Sequence, residues 1–417
     1  WQGGLLFING DSATFDDSAA GSTTVDIEGT IIPGSGGILI SNETKAYTLT
    51  GGTISGTGVM TKEGAANLTV EANSEIALVL NEGSLTGSGA LGAVTAASGT
   101  TVDFSGTMTR LTTAGNSKNS GNILQGLTVS GGTFDNSGTV GGVVNITGGA
   151  VTNNGEITAT GVSTVAAGAL LVQNGQFNAG TANVNSRLSV SGTVIGSGVF
   201  TDTTADGNVN NGRFSVESGG VLSPGNGPGD IAVFTIQGRF DLNPNARLII
   251  EVDQNHPQIN DIVAVDKWSN TRGIIQMTNI GAVPFAVGQS FHVISNNFNQ
   301  PNTPEAASDF QIDPRSPGVG MQWDVSNLKT NGILAIIAAP TEPPVITNVF
   351  TTTNITLSWP TNYLGWQLQV QTNDLDTGLT DNWYSVPGSE GTSQQVWPID
   401  PANPAVFFRL HTVAPTP

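Results

Sequence analysis

The 417-residue chain carries 32 Asp and Glu against 13 Lys and Arg, a formal net charge of −19. So few cations cannot neutralise a run of phosphates, which excludes nucleic acid as a partner and disfavours anionic membrane surfaces. There is no Cys, so disulfides, thiolate metal sites and Cys nucleophiles are excluded, and 37% hydrophobic residues leave too much apolar surface for a disordered chain.

The sequence opens on Trp1-Gln-Gly-Gly-Leu-Leu-Phe-Ile8, an uncharged apolar strand. Because it begins at Trp rather than Met, it is expected to be a mature product whose targeting segment is missing. No apolar run is long enough to span a bilayer as a helix. From there to about residue 235 the chain is rich in Gly, Ser, Thr and Asn. Its apolar residues come in short alternating groups such as Leu68-Thr-Val70 and Leu188-Ser-Val190. This is the period-two pattern of strands, and Gly recurs too often for helices.

Within this region residues 127–140 and 144–157 agree at every apolar site when slid by 17 positions, as well as at two paired glycines, one Asn and a later Gly. A unit of one strand, one corner and one strand cannot bury its own apolar face, so copies must stack. The pattern apolar-x-x-Gly-x-apolar recurs at Val129/Gly132/Phe134, Ile146/Gly149/Val151, Val172/Gly175/Phe177 and Val216/Gly219/Val221. Gly is expected there to supply the positive φ of a sharp corner. The fold class predicted is all-β: a right-handed parallel β-solenoid (β-helix) over residues 1–235. Roughly eleven irregular coils of ~20 residues would make a rod on the order of 55 Å long at ~4.8 Å per stacked strand.

Residues 236–340 change character, with longer strands at Arg247–Val252, Ile262–Val265 and Gly332–Ala338 and with loops rich in Asn, Pro and Gln. They are predicted to be a β-rich section capping the solenoid and ending in the linker Ala339-Pro-Thr-Glu-Pro-Pro344. Residues 341–417 contain Ile355-Thr-Leu-Ser-Trp359, Trp366-Gln-Leu-Gln-Val-Gln371, Trp383-Tyr-Ser-Val386 and Val406-Phe-Phe-Arg-Leu410, which predict a small C-terminal β-sandwich.

Three stretches resemble autotransporter-type passenger proteins of Gram-negative bacteria. Gly51-Gly-Thr-Ile-Ser-Gly-Thr-Gly-Val-Met-Thr-Lys-Glu-Gly64, followed by Asn67-Leu-Thr-Val70, is similar to the passenger-associated repeat. Gly219-Gly-Val-Leu-Ser-Pro-Gly-Asn-Gly-Pro-Gly229 is similar to the turn near the end of such passengers. Asp261-Ile-Val-Ala-Val265, Gly320-Met-Gln-Trp323 and Asn331-Gly-Ile-Leu334 resemble the strands that usually come after that turn. The last unit resembles fibronectin-III-like modules. The resemblance implies an extracellular or cell-surface location and names no active site. The membrane β-barrel that ends such proteins is not in this sequence.

Candidate chemistry is sparse. Asp16-Asp17 is the one adjacent carboxylate pair, and a solvated turn is its expected role rather than acid–base catalysis. The three histidines, His256, His292 and His411, lie outside residues 1–235. Asp374, Asp376 and Asp381 share one loop and offer oxygen ligands of the calcium type, without the full calcium-loop pattern. No phosphate-binding loop or nucleophile elbow is present. Trp366, Trp383, Tyr384 and Trp397 are candidates for a sugar-stacking platform, with core packing the expected role.

The expectation is therefore a non-enzymatic, secreted structural protein with no catalytic, cofactor or metal site. It is read as an adhesive rod, or one that self-assembles head-to-tail into a filament by strand addition through Trp1, Leu5, Leu6, Phe7 and Ile8. The alternatives are a protein that binds cell-surface or matrix glycans through its C-terminal module and, behind it, a β-helix polysaccharide-degrading enzyme.

Overall fold

The computed structural model describes residues 6–179, 187–202, 212–296, 310–328 and 330–412. The described residues form β-strands and two 3-10 turns, with no α-helix among them. One sheet of 34 strands, parallel throughout, dominates, as expected for a parallel β-solenoid.

Each rung sends one strand to each of three faces. The first face begins Ala13–Asp16, Ile38–Ser41, Val59–Glu63, Ala77–Leu80 and runs on to Arg187–Val190 and Arg213–Val216. The second includes Asn67–Val70, Ser84–Gly87, Thr101–Phe104, Asn116–Asn119 and Thr133–Asn136. The third includes Thr139–Gly141, Glu156–Ala159, Gln176–Ala179 and Val199–Asp202. The stack holds roughly thirteen rungs, or ~60 Å at ~4.8 Å each.

Alternation does the sorting. In Asn67–Val70 the residues Leu68 and Val70 are fully buried while Asn67 and Thr69 face outward. The same inside–outside pattern repeats in Gln176–Ala179 and Arg187–Val190. The 17-residue repeat is the stacking register itself: Leu127 pairs with Val144, Val129 with Ile146, Phe134 with Val151 and Asn136 with Asn153. Inner positions form columns, such as Phe177 on Phe200 at 5.7 Å on the third face, and the columns meet across the core, as where Phe200 packs edge-on to Phe214 of the first face at 5.4 Å.

The corner glycines divide into two kinds. Gly132 and Gly149, between the first and second faces, have φ of 60° and 71°, as the repeat motif predicts. A Cβ on them would also sit 2.3 and 2.4 Å from backbone oxygens, whereas Gly138 and Gly155, between the second and third faces, have no positive φ and are needed for close approach alone. A Cβ on Gly138 would sit 2.1 Å from the carbonyl oxygen of Gly121, and one on Gly155 2.2 Å from that of Gly138. Gly175, which the apolar-x-x-Gly motif grouped with the first kind, belongs to the second.

Parallel pairing does not end near residue 235. That position lies inside Val233–Leu242, which forms parts of two faces, and stacking continues through Ile262–Thr271 and Ile274–Asn279 to Gln311–Asp313. The terminal section therefore supplies rungs before it caps. The cap is an antiparallel sheet of Ser290–His292, Ile333–Ala338 and Met321–Asp324. Phe291, Leu334 and Ile336 on it are buried in the solenoid core, and Phe285, Phe291 and Trp323 cluster edge to face.

The C-terminal unit is two three-stranded antiparallel sheets, Thr347–Phe350, Asn354–Ser358 and Gln394–Pro398 in one, Tyr384–Ser385, Gln367–Asn373 and Ala405–His411 in the other. Leu357, Trp359, Leu368, Val370 and Val386 form its core. It docks on the cap: Gln322 Nε2 donates to the Asn362 and Leu364 carbonyls at 2.7 and 2.6 Å, and the Trp366 indole N–H donates to the Pro340 carbonyl at 2.7 Å.

Candidate functional site

Asp16 and Asp17 are both engaged in closing turns. Asp17 accepts the backbone N–H groups of Glu43, Thr44 and Lys45, while Asp16 accepts the N–H and hydroxyl of Ser18. These hydrogen bonds hold both carboxyls below the usual carboxylate range. Carboxylates used this way stabilise a corner.

In the stretch that resembles the passenger repeat, Lys62 lies in an inner column between Ile40 and Leu80 and is fully buried. Its ammonium donates to the carbonyls of Glu63, Gly64 and Glu82. Burial lowers its pKa, opposed by the Glu43 and Glu82 carboxylates. Lys62 thus ties the carbonyls of one corner together from inside the rod.

A second polar feature inside the core is a row of amides. Asn119 Nδ2 donates to Asn136 Oδ1 at 2.8 Å, Asn136 to Asn153 at 2.8 Å, and Asn153 to Gln173 Oε1 at 3.0 Å; Gln173 ends the row on the Gly175 carbonyl. All four side chains are buried, and Asn119 Oδ1, on the side of Phe104, has no partner.

The turn that resembles the end of a passenger is held by acids. In the regular rungs a two-residue corner such as Ser137-Gly138 joins the second and third faces. Here residues 225–232 do so, and residues 253–261 in the next rung. Asp261, fully buried, accepts the N–H of Ala232 through Oδ1 and of Glu251 through Oδ2, both at 2.8 Å. Glu251, itself 6% exposed, accepts the Gly229 N–H at 2.7 Å, and Asp230 accepts the Asn226 N–H at 2.8 Å. Burial raises the Asp261 carboxyl to about 7, helped by the Glu251 and Asp230 charges and opposed by its two N–H donors.

The sequence reading missed a cation column. Arg187, Arg213 and Arg239 occupy one register position in consecutive first-face rungs. Asp241, 2% exposed, pairs with Arg213 at 3.1 Å and Arg239 at 3.3 Å. The signal was present as Arg187-Leu-Ser-Val190, Arg213-Phe-Ser-Val216 and Arg239-Phe-Asp-Leu242, each 26 residues on from the last.

In the C-terminal unit the four aromatic candidates are not brought into one platform. Trp366 is buried against the linker, and Trp397 packs edge-on to Phe408 in the core at 5.7 Å. Trp383 carries the Arg409 guanidinium 4.3 Å from its ring centroid, and Arg409 donates to Gln369 at 2.8 Å. Only Tyr384 is well exposed, at 72%. In the acidic loop Asp374 accepts the Thr377 N–H at 2.6 Å, which holds its carboxyl below the usual range. Among the described residues no three His, Cys, Asp or Glu side chains are grouped to hold a metal ion.

At the other end Leu6 and Ile8 are exposed, while Phe7 packs against the core; Trp1 and Leu5 lie outside the described residues. No helix among the described residues is long and apolar enough to cross a membrane.

No protein-family model matches the chain, and no curated protein matches it. Its geometry defines a parallel β-solenoid closed by an antiparallel cap and followed by a small two-sheet module.

Proposed function

We propose that this chain is a non-enzymatic, secreted extracellular structural protein, a stiff rod that displays its C-terminal module at a distance from whatever holds the other end. The observation that carries the reading is the division of labour in the stack. Inner positions are spent mainly on apolar columns and an amide row, Asp16, Asp17 and Lys62 are bound to corner backbone, and Asp241 is paired with Arg213 and Arg239 along the first face. Outer positions on the first face form a column of Thr95, Thr112, Thr128, Asn145, Thr164 and Ser189, small polar groups suited to a hydrated shaft.

Adhesion is favoured over a continuous head-to-tail core because Phe291, Leu334 and Ile336 cover the C-terminal end of the solenoid. A neighbouring copy arriving through Leu6, Phe7 and Ile8 would meet the cap or the module, not an open rung. Negative-stain microscopy of the full chain at high concentration, with fractionation of the source cells, tests the reading. Rods recovered outside the cell support it, and an intracellular, compact particle overturns it.

A second reading, glycan or surface binding through residues 341–417, draws on the exposed Tyr384 beside Trp383 and Arg409 and on the loop that presents Leu375 and Leu379 to solvent. Glycan-array binding by the full chain that is lost in Tyr384→Ala would support it; unchanged binding in that variant would remove this surface.

A further inference from the structure

The three acids around the Gly-rich turn stand where the regular rungs have glycine stacked on glycine. Asp261 is the tie between consecutive rungs: one oxygen holds Ala232, at the entry to Val233–Leu242, and the other holds Glu251, at the end of Arg247–Val252. Glu251 in turn holds Gly229 of the long turn. Among the described residues none of the three acids takes part in an ion pair with Lys, Arg or His.

Among the described residues, the elements around them bring no cation into an ion pair with these acids. On the loop of residues 253–260, Asp253 accepts the Asn255 N–H and the His256 ring binds the Gln258 carbonyl and N–H. His292, on the cap, contributes its backbone carbonyl, to Asn260, at 3.0 Å.

We propose that Asp261, with Glu251 and Asp230, is an acid-set latch that holds the last solenoid rungs to the long turn more tightly in acid than at neutral pH. The physical ground is the burial of Asp261 beside two other carboxylates, where its neutral form costs least and its charge has only backbone N–H groups for company. Linkage fixes the sign. The carboxyl is raised from 3.8 to about 7 in the folded protein. The opened segment therefore releases a proton that the closed one keeps. The stabilisation is full below the opened-state value, declines as pH climbs between the two, and is gone above about 7. A latch of this kind would stiffen the hand-over from shaft to cap in an acidic setting and free residues 225–232 and 253–260 at neutral pH.

Hydrogen exchange of the full chain, read by mass spectrometry from pH 4 to 8 and corrected for intrinsic rates, tests this. Peptides covering Ala232, Glu251 and Asp261 should open up to about tenfold more per pH unit from roughly pH 4 to 7 and then level off. Peptides from residues 126–158 should not change in step. Asp261→Asn should abolish the slope. Glu251→Gln keeps an acceptor for Gly229 and should move the levelling-off point to lower pH. A flat wild-type profile, or a slope that survives in Asp261→Asn, overturns the proposal. If that variant does not fold, an unmoved levelling-off point in Glu251→Gln overturns it.

Discussion

The amide row makes single residues unequal. Asn136 both accepts from Asn119 and donates to Asn153. Replacing it with Leu leaves the buried Asn153 Oδ1 acceptor above without a partner and takes one of three acceptors from the Asn119 amide below, which keeps the Gly121 and Thr139 carbonyls. At about 1–3 kcal/mol for the orphaned acceptor and about 1 kcal/mol for the lost Asn119 bond, Asn136→Leu is expected to cost about 2–4 kcal/mol. Asn119 stands at the row's start with an oxygen already unpaired, so Asn119→Leu orphans one group while removing another and should cost about 1–2 kcal/mol. Urea midpoints of the two variants check the order; equal midpoints would mean that the row contributes nothing as a row. The sequence carried Asn119, Asn136, Asn153 and Gln173 in plain view. Their burial was not legible, because an Asn next to Gly reads as a turn residue until the register stacks it on another Asn.

At the scale of the element, what matters is which corner a glycine occupies. The 17-residue echo made strand, corner and strand legible, and its register proved literal. The motif apolar-x-x-Gly-x-apolar, however, merged two corners with different physics. The better signal is Phe104-Ser-Gly106, Asn119-Ser-Gly121, Asn136-Ser-Gly138, Asn153-Asn-Gly155 and Gln173-Asn-Gly175, one per rung. It was obscured because the residue two before the Gly changes from Phe to Asn to Gln, so no apolar pattern marks it.

Close approach and positive φ should respond differently to a methyl group, and Gly138 and Gly168 each carry one without the other. Gly138→Ala places a Cβ 2.1 Å from the Gly121 oxygen, with backbone on both sides, and should cost about 3 kcal/mol or more. Gly168 has φ of 82° but nothing within 4 Å, so Gly168→Ala should cost only about 1–2 kcal/mol. Thermal melts of both variants measure the difference, and a milder effect for Gly138→Ala would refute the close-approach argument.

For the whole molecule, composition and patterning reached the fold class, an all-β parallel solenoid. The extent of the stack was not legible, because strands such as Val233–Leu242 run around a corner without a break and loops of residues 253–261 replace the short corners. The cation column was hidden for the same reason: its arginines are 26 residues apart rather than 17.

The linker expectation also changes in meaning. Residues 339–344 do not leave the last unit on a loose tether, since Trp366 binds the Pro340 carbonyl and Gln322 binds two carbonyls of the module. A variant combining Trp366→Phe with Gln322→Ala should keep both folded units but broaden their relative orientation. Small-angle scattering should then give a larger maximum dimension, and a curve that matches wild type would show that those bonds do not set the angle.

The amide row also has a direction. Every donor points toward the C-terminal end, so each Asn is equivalent to the one before it, displaced by a single rung. Duplicating the 17 residues 120–136 would insert one more Asn between a ready donor and a ready acceptor, lengthening the shaft by ~4.8 Å without disturbing either neighbour. The middle of this protein is thus a graduated scale, on which length can be changed in whole divisions while the fittings at both ends stay as they are.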